Sequence, residues 1–262
     1  MVQRLAVVTG ASSGIGAATA ELLGASDWRV VLVARRRPAL ETVAQRIGAL
    51  GGDAVVEALD GGDAAAVQAM ASRVLDRFGV PGAVVNAAGA GEWRWPEDTP
   101  PADMERMLDA PFRSAYHHTQ AFLAPMLGQR GGVLVHVGSP ASLRPWPSAT
   151  AYTCSRWALR GLHEALVQDL HGTGVRSCHV IFAGEVASDY FVANPRSHEH
   201  IPSIGRVFGV ASPRECAEVV YGTILRPRDQ VLHPGLARAF HVVNQVAPGG
   251  MRCLARVTGR RR

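Results

Sequence analysis

A glycine-rich turn between an apolar run and a helix-like stretch constrains the fold of this chain more than any other feature. Residues 5–9 are mostly apolar, and residues 10–16 then read Gly-Ala-Ser-Ser-Gly-Ile-Gly. Glycines allow the positive φ angles of a tight turn and let the backbone approach a phosphate closely. Because this pattern is specific only between a strand and a helix, it predicts a dinucleotide phosphate cradle at the helix N-terminus. The predicted cradle consists of Gly10, Ser12, Ser13, Gly14, Ile15 and Gly16.

Apolar runs alternate with stretches of helical periodicity along most of the chain. The predicted strands are 5–9, 30–34, 54–58, 83–86, 133–137, 175–182 and 230–232, and the predicted helices are 15–23, 39–50, 64–78, 112–126, 152–171 and 213–225. Continuously apolar strands between helices indicate a parallel sheet that is buried on both faces. With right-handed crossovers, this pattern predicts an α/β fold, a doubly wound Rossmann-type sheet with helices on both faces.

The domain organisation follows from length and local composition. A chain of 262 residues fits one large α/β domain, here residues 1–262. The stretch 184–210 is polar and rich in Pro, Ser and His, which predicts a lid over a site. Residues 235–262 are predicted to form a helical extension that is interrupted at Pro248. We expect the extension to pack on the domain or on a neighbouring subunit rather than on a membrane.

Composition argues against several classes of protein and of binding site. Apolar residues make up 47% of the chain, but no apolar run approaches the length of a membrane-spanning helix. The four cysteines lack zinc-site or disulfide spacing, so no metal site is predicted, and the absence of a signal-peptide pattern adds to a cytoplasmic expectation. The net charge is +5, and every basic Lys/Arg position is arginine. The arginine-rich tail is expected to be solvated rather than bound to nucleic acid or to an anionic membrane.

The end of the second predicted strand indicates which dinucleotide is bound. Arg35, Arg36 and Arg37 follow Ala34, where a carboxylate would instead favour a free ribose 2′-hydroxyl. An arginine at this position pairs with a 2′-phosphate. The sequence therefore predicts NADP(H) rather than NAD(H), with Arg35 and Arg36 at the site and Arg37 on a solvated helix start.

Further motifs complete a resemblance to the short-chain dehydrogenase/reductase family that extends from Leu5 to about Tyr221. Asp60 follows the third strand, and Ser139 precedes Tyr152 by thirteen residues. The family's Tyr-x-x-x-Lys motif is present here as Tyr152 and Arg156. The segment after the fourth strand is Asn86, Ala87, Ala88 and Gly89.

The resemblance implies a role for each of these positions. Asp60, with Leu59 beside it, would bind the adenine amine, and the segment from Asn86 to Gly89 would contact the adenosine ribose and stabilise the central sheet. Ser139 would polarise a substrate carbonyl, and Tyr152 would be the general acid in reduction. Arg156 would replace the lysine that holds the nicotinamide ribose and favours ionisation of the tyrosine. The nicotinamide carboxamide would meet the backbone of Ala183, Gly184 and Val186.

Three positions depart from the family pattern. Arg156 keeps the positive charge, but arginine is effectively never deprotonated, so a proton relay through it would stop there. Pro111 stands where the family has an asparagine of that relay, and we expect it near a helix start, where proline fits. Ala183 replaces a proline. Three functions therefore remain open. The chain is a carbonyl reductase, a non-redox enzyme that acts with a bound cofactor, or a dinucleotide-binding protein without catalytic activity.

The remaining candidates divide into lid, pocket and packing residues. A non-redox enzyme would draw its acid or base from the lid, which offers Glu185, Asp189, Tyr190, His198, Glu199 and His200. Trp93, Trp95 and Trp146 follow the fourth and fifth strands, where ligands bind, so they favour an apolar or aromatic pocket for a small to medium substrate. His117, His118, His136 and Cys154 are predicted to be packing residues. The helices 112–126 and 152–171 match those through which the family forms homodimers or homotetramers.

Overall fold

Seven parallel strands form the central sheet of the protein. The computed structural model describes residues 4–258 apart from 189, 191–193, 195–196 and 201–202. Within this range, only the backbone is described for residues 198, 199, 203, 204 and 206. The sheet strands are β1 (Arg4–Thr9), β2 (Trp28–Ala34), β3 (Asp53–Ala58), β4 (Ala83–Asn86), β5 (Gly132–Gly138), β6 (Val175–Phe182) and β9 (Gln230–His233). Two short strands, β7 (Glu185–Val186) and β8 (Val210–Ala211), form a separate parallel pair.

The strand order places a ligand crevice at the middle of the sheet. The order is β3-β2-β1-β4-β5-β6-β9, and every neighbouring pair is parallel. The chain winds outward from β1 in one direction through β3 and then returns to β4 to wind in the other. Loops at the carboxyl ends of β1 and β4 therefore diverge to opposite faces of the sheet and leave a cleft between them. The predicted doubly wound Rossmann-type sheet is confirmed.

Helices cover both faces of the sheet, as predicted. Over the described residues they are α1 (Gly14–Gly24), α2 (Arg37–Ala49), α3 (Ala64–Phe78), α4 (Pro101–Leu108), α5 (Ser114–Gly128), α6 (Thr150–Asp169), α7 (Ser197–His200), α8 (Pro213–Leu225), α9 (Leu236–Val246) and α10 (Pro248–Thr258). Because side chains alternate along a strand, Ala6 and Val8 of β1 join one apolar core while Leu5 and Val7 join the other. Both cores exclude water from the sheet.

Pro111 occupies a widened turn inside a long helical segment. Helical backbone begins at Pro101 and continues through a π turn, Asp109–Arg113, into α5. The Ser114 amide donates to the Asp109 carbonyl oxygen, five residues earlier. The prediction of a helix start at residue 112 is therefore wrong, and α4 was not predicted. Proline has no amide hydrogen and crowds the preceding turn of a regular helix, and the π turn gives its ring room.

Three histidines are buried together between the sheet and α6. His136 of β5 and His179 of β6 are partners across the two strands, and His163 of α6 has its ring centroid 6.2 Å from that of His136 and 5.4 Å from that of His179. The Asn86 amide donates to Nδ1 of His136, and His163 Nδ1 lies 2.9 Å from the Ser177 hydroxyl. Neither ring nitrogen of His179 has a hydrogen-bond partner among the described residues.

Burial controls the ionisation of these rings. It lowers the pKa of His136 to about 3 and the pKa of His179 well below its ordinary value, and the neighbouring histidines add to both shifts. Burial also lowers the pKa of His163. The three rings are therefore neutral at pH 7. Among the described residues, no group of three or more potential metal ligands is placed to hold an ion.

The predicted lid contains short elements, and the predicted extension contains two amphipathic helices. Residues 184–210 include β7, α7, a 3₁₀ segment Ser203–Phe208 and the start of β8. The extension forms α9 and α10, which pack on each other and are separated at Ala247. None of the helices in the described part of the chain has the length and apolar character needed to cross a bilayer. The division into one domain, a lid and an extension stays a prediction.

Candidate active site

A cleft of about 1020 Å³ opens at the carboxyl ends of the central strands. It collects most of the residues that the sequence motifs single out. Its dinucleotide half is lined by Gly10, Ser12, Ser13, Gly14, Ile15, Gly16, Arg35, Arg36, Leu59, Asp60, Ala87, Ala88 and Gly89. Its other half is lined by Ser139, Tyr152, Arg156, Ala183, Gly184 and Val186, together with aromatic side chains. Residues far apart in sequence thus share one continuous surface.

The glycine-rich turn leaves no room for side chains at its tightest points. Gly10 has a φ of 66°, and a Cβ atom there would lie 2.7 Å from the Ala87 carbonyl oxygen. A Cβ atom at Gly16 would overlap the Gly10 carbonyl oxygen. Ser13 precedes α1 with extended backbone and makes no capping hydrogen bond through its side chain. The first-turn amides of α1 therefore face the cleft as an anion-binding site.

Thr9 ties the two central loops together. Its hydroxyl oxygen accepts hydrogen bonds from the Ala87 and Ala88 amides, both at 3.1 Å. These contacts fix the distance between the glycine-rich turn after β1 and the loop after β4. Sequence reasoning treated Thr9 only as the last strand residue. A buried threonine directly before the glycine turn is the signal that could have identified this role.

Arg36 stands beside the phosphate cradle. Its guanidinium Nη2 lies 3.3 Å from the Ser12 hydroxyl and 3.4 Å from the Ser13 hydroxyl. Arg35 also lines the cleft and is exposed, so both predicted arginines reach the site. Arg37 instead begins α2 and pairs with Glu41 at 3.8 Å, away from the cleft. The cluster offers hydroxyl and guanidinium donors at the same point, the donor set that suits a phosphate group.

Only some of the residues that are predicted to contact the adenine and its ribose line the cleft. Asp60 and Leu59 line it, and Asp60 Oδ1 accepts a hydrogen bond from the Gly62 amide at 2.9 Å. Asn86 is buried, does not line the cleft and donates to His136. Its side chain thus links β4 to β5, in line with the expected support of the sheet, whereas its cofactor contact stays a prediction.

Tyr152 and Arg156 form one stacked unit on α6. The Arg156 guanidinium carbon lies 4.2 Å from the centroid of the Tyr152 ring, as expected for positions four residues apart on a helix. Arg156 donates to the Ala90 carbonyl oxygen at 3.2 Å and to the Ser155 hydroxyl at 3.1 Å. No carboxylate pairs with it among the described residues. Its charge is therefore available to the phenol ring and to a ligand.

Ser139 follows β5 and faces the same cleft. Its side-chain oxygen accepts a hydrogen bond from the Ala141 amide at 3.3 Å, in a 3₁₀ turn, Pro140–Ser142. Its carbonyl oxygen accepts from the Ser142 hydroxyl at 2.6 Å. These bonds fix the loop, and because the Ser139 hydroxyl is only an acceptor in them, its proton is free to be donated to a ligand.

The loop after β6 closes the far side of the cleft. The Ala183 amide donates to the His233 carbonyl oxygen at 2.8 Å, which holds the chain where the family has proline. A Cβ atom at Gly184 would lie 2.5 Å from the Gly209 carbonyl oxygen, so glycine is needed for this close approach. Val186 lies in β7, which pairs with β8. The segment is thus held by β9 and by β8.

Aromatic side chains form the wall around Tyr152. Trp93 lies with its ring centroid 5.8 Å from that of Tyr152, and Trp146, Tyr190 and Phe208 line the same space. Trp95 does not line the cleft and instead packs edge-on against His200. Two of the three tryptophans therefore line the cleft, and their contact with a substrate stays a prediction.

Tyr190 brings a second hydroxyl close to the Tyr152–Arg156 unit. It donates to the Gly91 carbonyl oxygen at 2.7 Å. Burial raises the pKa of Tyr190 and the neighbouring Tyr152 adds to the rise, while Arg156 opposes it. The hydroxyl therefore stays protonated and acts as a donor near pH 7.

Of the other lid and packing candidates, one lines the cleft, some pack elsewhere in the protein and some lie outside the described residues. Glu185 lines the cleft, whereas Asp189 and the side chains of His198 and Glu199 lie outside the described residues. His118 is buried and bonds the Ser114 carbonyl oxygen, and the half-buried His117 bonds the Gly61 carbonyl oxygen, which fits their predicted packing role.

The expected burial of Cys154 is wrong. Its side chain is exposed and it does not line the cleft. The reason is helical geometry, because a residue two positions after Tyr152 points roughly 200° away from it around α6.

Comparison with known proteins identifies the family of this chain. The family model for short chain dehydrogenase matches residues 4–198. The chain belongs to the short chain dehydrogenase family. A short chain dehydrogenase of Pseudocercospora fijiensis is 33% identical over 177 residues, which cover 66% of this chain and 57% of that relative's length. The chain thus spans less than two thirds of that relative.

Solved structures of short chain dehydrogenases share the fold and differ in their bound dinucleotide. A metagenomic short-chain oxidoreductase in complex with NADP is 29% identical with a TM-score of 0.74, covering 87% of this chain and 96% of its own. A short chain dehydrogenase/reductase from Burkholderia phymatum in complex with NAD is 25% identical with a TM-score of 0.83, covering 95% of both chains. The family is therefore one of oxidoreductases, and its members use either dinucleotide.

Proposed function

We propose that this short chain dehydrogenase is an NADP(H)-dependent oxidoreductase that interconverts a carbonyl and an alcohol. The observation that carries the proposal is the Tyr152–Arg156 stack, which lies in one cleft with Ser139 and with the glycine-rich turn. A bound nicotinamide dinucleotide would supply or accept the hydride. The chain's own residues would supply the proton, the carbonyl contact and the orientation.

The geometry of the chain supports binding of the dinucleotide. Glycine at positions 10 and 16 lets the turn pack closely against Ala87 and against itself, which shapes the start of α1 where the pyrophosphate would bind. Arg156 would hold the nicotinamide ribose, since its guanidinium has no carboxylate partner among the described residues. Gly184 and Val186 would present backbone groups to the carboxamide.

The proposed chemistry assigns one role to each polar group. The Ser139 hydroxyl would donate to the substrate oxygen, and the Tyr152 hydroxyl would give up its proton as the alcohol forms. The Arg156 guanidinium, stacked on the phenol ring, would stabilise the negative charge that then develops. Because arginine keeps its protons and Pro111 has no amide side chain, solvent in the cleft would return the proton to Tyr152 directly.

The lining of the cleft supports an apolar or cyclic substrate of small to medium size. Trp93, Trp146 and Phe208 offer apolar surface around Tyr152, and Tyr190 adds a neutral hydroxyl. The test is NADPH consumption by the purified protein over a panel of ketones and aldehydes that vary in ring size and polarity. Consumption with cyclic, apolar ketones and little with charged ones is expected. Confirmed NADPH binding without consumption of any compound would instead favour non-redox chemistry.

NADPH preference is expected to depend on Arg36. Replacing Arg36 with glutamine should raise the KM for NADPH by roughly one to two orders of magnitude, because a charge-assisted hydrogen bond contributes about 1.5–3 kcal/mol. The KM for NADH should change little, since NADH has no 2′-phosphate. Steady-state kinetics with both dinucleotides measure the effect. Arg37→Gln is the matched control and should leave both KM values unchanged; equal effects of the two variants would contradict the assignment.

The proposed assembly is a homodimer or homotetramer formed through α5 and α6. Each helix exposes a large aromatic side chain, Tyr116 on α5 and Trp157 on α6. Aromatic residues are enriched at subunit interfaces. Their exposure on neighbouring helices supports a contact between copies of the chain at this face.

A further inference from the structure

The α9 helix packs one face on the domain and leaves its valines exposed on the other. Towards the domain, Ala237 is buried, Phe240 packs edge-on against Phe208 with ring centroids 5.0 Å apart, and Asn244 accepts a hydrogen bond from Arg144. These residues recur at intervals of three and four and define one face of the helix. This face fixes α9 to the domain beside the aromatic part of the cleft.

The opposite face of α9 is apolar and open to solvent. Leu236, Val242 and Val243 are about half exposed, and Val246 is 80% exposed. Residues 236, 239, 243 and 246 follow the same three-and-four spacing, so the exposed side chains form a continuous stripe along the helix. A surface helix of a free-standing protein would normally carry polar residues at these positions, and an exposed apolar stripe marks a contact surface.

The α10 helix continues the exposed apolar surface and adds positive charge. Leu254 and Val257 are exposed, and Ala255 is buried against the domain. Arg252 and Arg256 lie on the exposed side of the same helix. Long arginine side chains can lie along an apolar surface with their charged ends in the polar layer above it.

The charge of this region is entirely positive. Residues 230–262 contain six arginines and no aspartate or glutamate. Of the six, Arg238, Arg252 and Arg256 lie in the described part of the chain, and none of these three forms an ion pair with a described carboxylate. Unpaired arginines beside an apolar stripe are complementary to a surface that is apolar below and anionic above.

Against the expectation from the sequence alone, we propose that the exposed face of α9 and α10 docks on an anionic lipid surface. Valine and leucine side chains would enter the headgroup–acyl boundary, and the arginines would bind lipid phosphates. A second copy docking through the same face would bring arginines against arginines, since a two-fold contact is self-complementary and no carboxylate lies in this region. The charge of the helices therefore selects lipid over self-association.

Vesicle co-sedimentation of the intact protein tests the proposal. The protein is expected to sediment with vesicles of phosphatidylcholine and phosphatidylglycerol, to bind phosphatidylcholine vesicles less, and to dissociate with added salt. The double variant Val242→Ser, Val246→Ser should lower the partition coefficient by at least about tenfold, because it removes methyl groups that would enter the acyl boundary and adds hydroxyl groups there. The control Leu50→Ser removes an equally exposed apolar side chain at the end of α2 and should bind as the wild type does.

Three results would overturn the proposal: no sedimentation with anionic vesicles, equal binding to both vesicle types at all salt concentrations, or equal losses in the valine and Leu50 variants. Analytical ultracentrifugation without vesicles adds a separate measurement of the oligomeric state. Dissociation of an oligomer by the valine substitutions would assign the face to a second copy. The readout needs no catalysis, so it is independent of the proposed carbonyl chemistry.

Discussion

Replacing Tyr152 with phenylalanine is expected to lower the kcat for NADPH consumption by about two to four orders of magnitude, the usual contribution of a general acid. Phenylalanine keeps the ring that packs against Trp93 and under the Arg156 guanidinium. The cleft should therefore keep its shape, and the affinity for NADPH should remain close to that of the wild type. Steady-state kinetics on a ketone from the panel, with NADPH binding followed by fluorescence titration, measure the two quantities separately.

Further substitutions make this result specific. Tyr116→Phe removes a hydroxyl from an exposed tyrosine of α5 and should leave kcat unchanged. Arg156→Met removes the charge at similar length and should weaken both kcat and NADPH binding, whereas Arg156→Lys restores the family's residue and should retain activity. If Tyr152→Phe keeps most of its activity while Tyr190→Phe loses it, the acid is Tyr190 and the assignment of Tyr152 is wrong.

The protein is expected to lose stability steeply between about pH 6.5 and pH 3. The folded-state pKa of His136 is about 3, below the ordinary 6.5, so the unfolded chain binds more protons throughout this interval. The stability from the neutral ring is complete above pH 6.5 and is lost as the pH falls. At about 1.4 kcal/mol per pKa unit, His136 alone corresponds to roughly 4–5 kcal/mol. His179 and His163 shift in the same direction.

Denaturant unfolding at a series of pH values measures this loss. His179→Leu should reduce the slope of the unfolding free energy against pH, because it removes a buried ring that has no hydrogen-bond partner among the described residues. His171→Asn is the control, since His171 is exposed at the end of α6 and should leave the slope unchanged. A slope that is identical in wild type and His179→Leu would show that the buried rings do not control acid unfolding.

The strands and most helices could be predicted because their signals are local. The run 175–182 became β6, and 64–78 became α3, with the predicted bounds. Continuous apolar character identifies a strand that is buried on both faces. Strand order and the position of the cleft then follow from general rules for parallel sheets.

The π turn and α4 could not be predicted because they depend on context. No helix was predicted between 86 and 112, yet Pro101 occupies the first turn of α4, where a missing amide costs nothing. Pro111 suggested a helix start, yet the chain widens around it. In both cases the sequence indicates that proline restricts the backbone, and tertiary packing decides how the restriction is accommodated.

The candidate site was predictable where a motif fixed both residue and spacing. Tyr152 and Arg156 stack because four residues make about one helical turn. The histidine cluster was not predicted, because His136, His163 and His179 meet only through strand pairing and helix packing. The Thr9 bridge was missed for the same reason, since its partners lie after β4.

The contact between Gly138 and His179 also limits the order in which substitutions can accumulate. A Cβ atom at Gly138 would overlap the His179 ring, so any side chain directly before Ser139 requires a smaller residue at position 179 first. The reverse order passes through an overcrowded intermediate. The two positions are therefore expected to change together among descendants of this sequence, and Gly138 can be redesigned only through its neighbour on the adjacent strand.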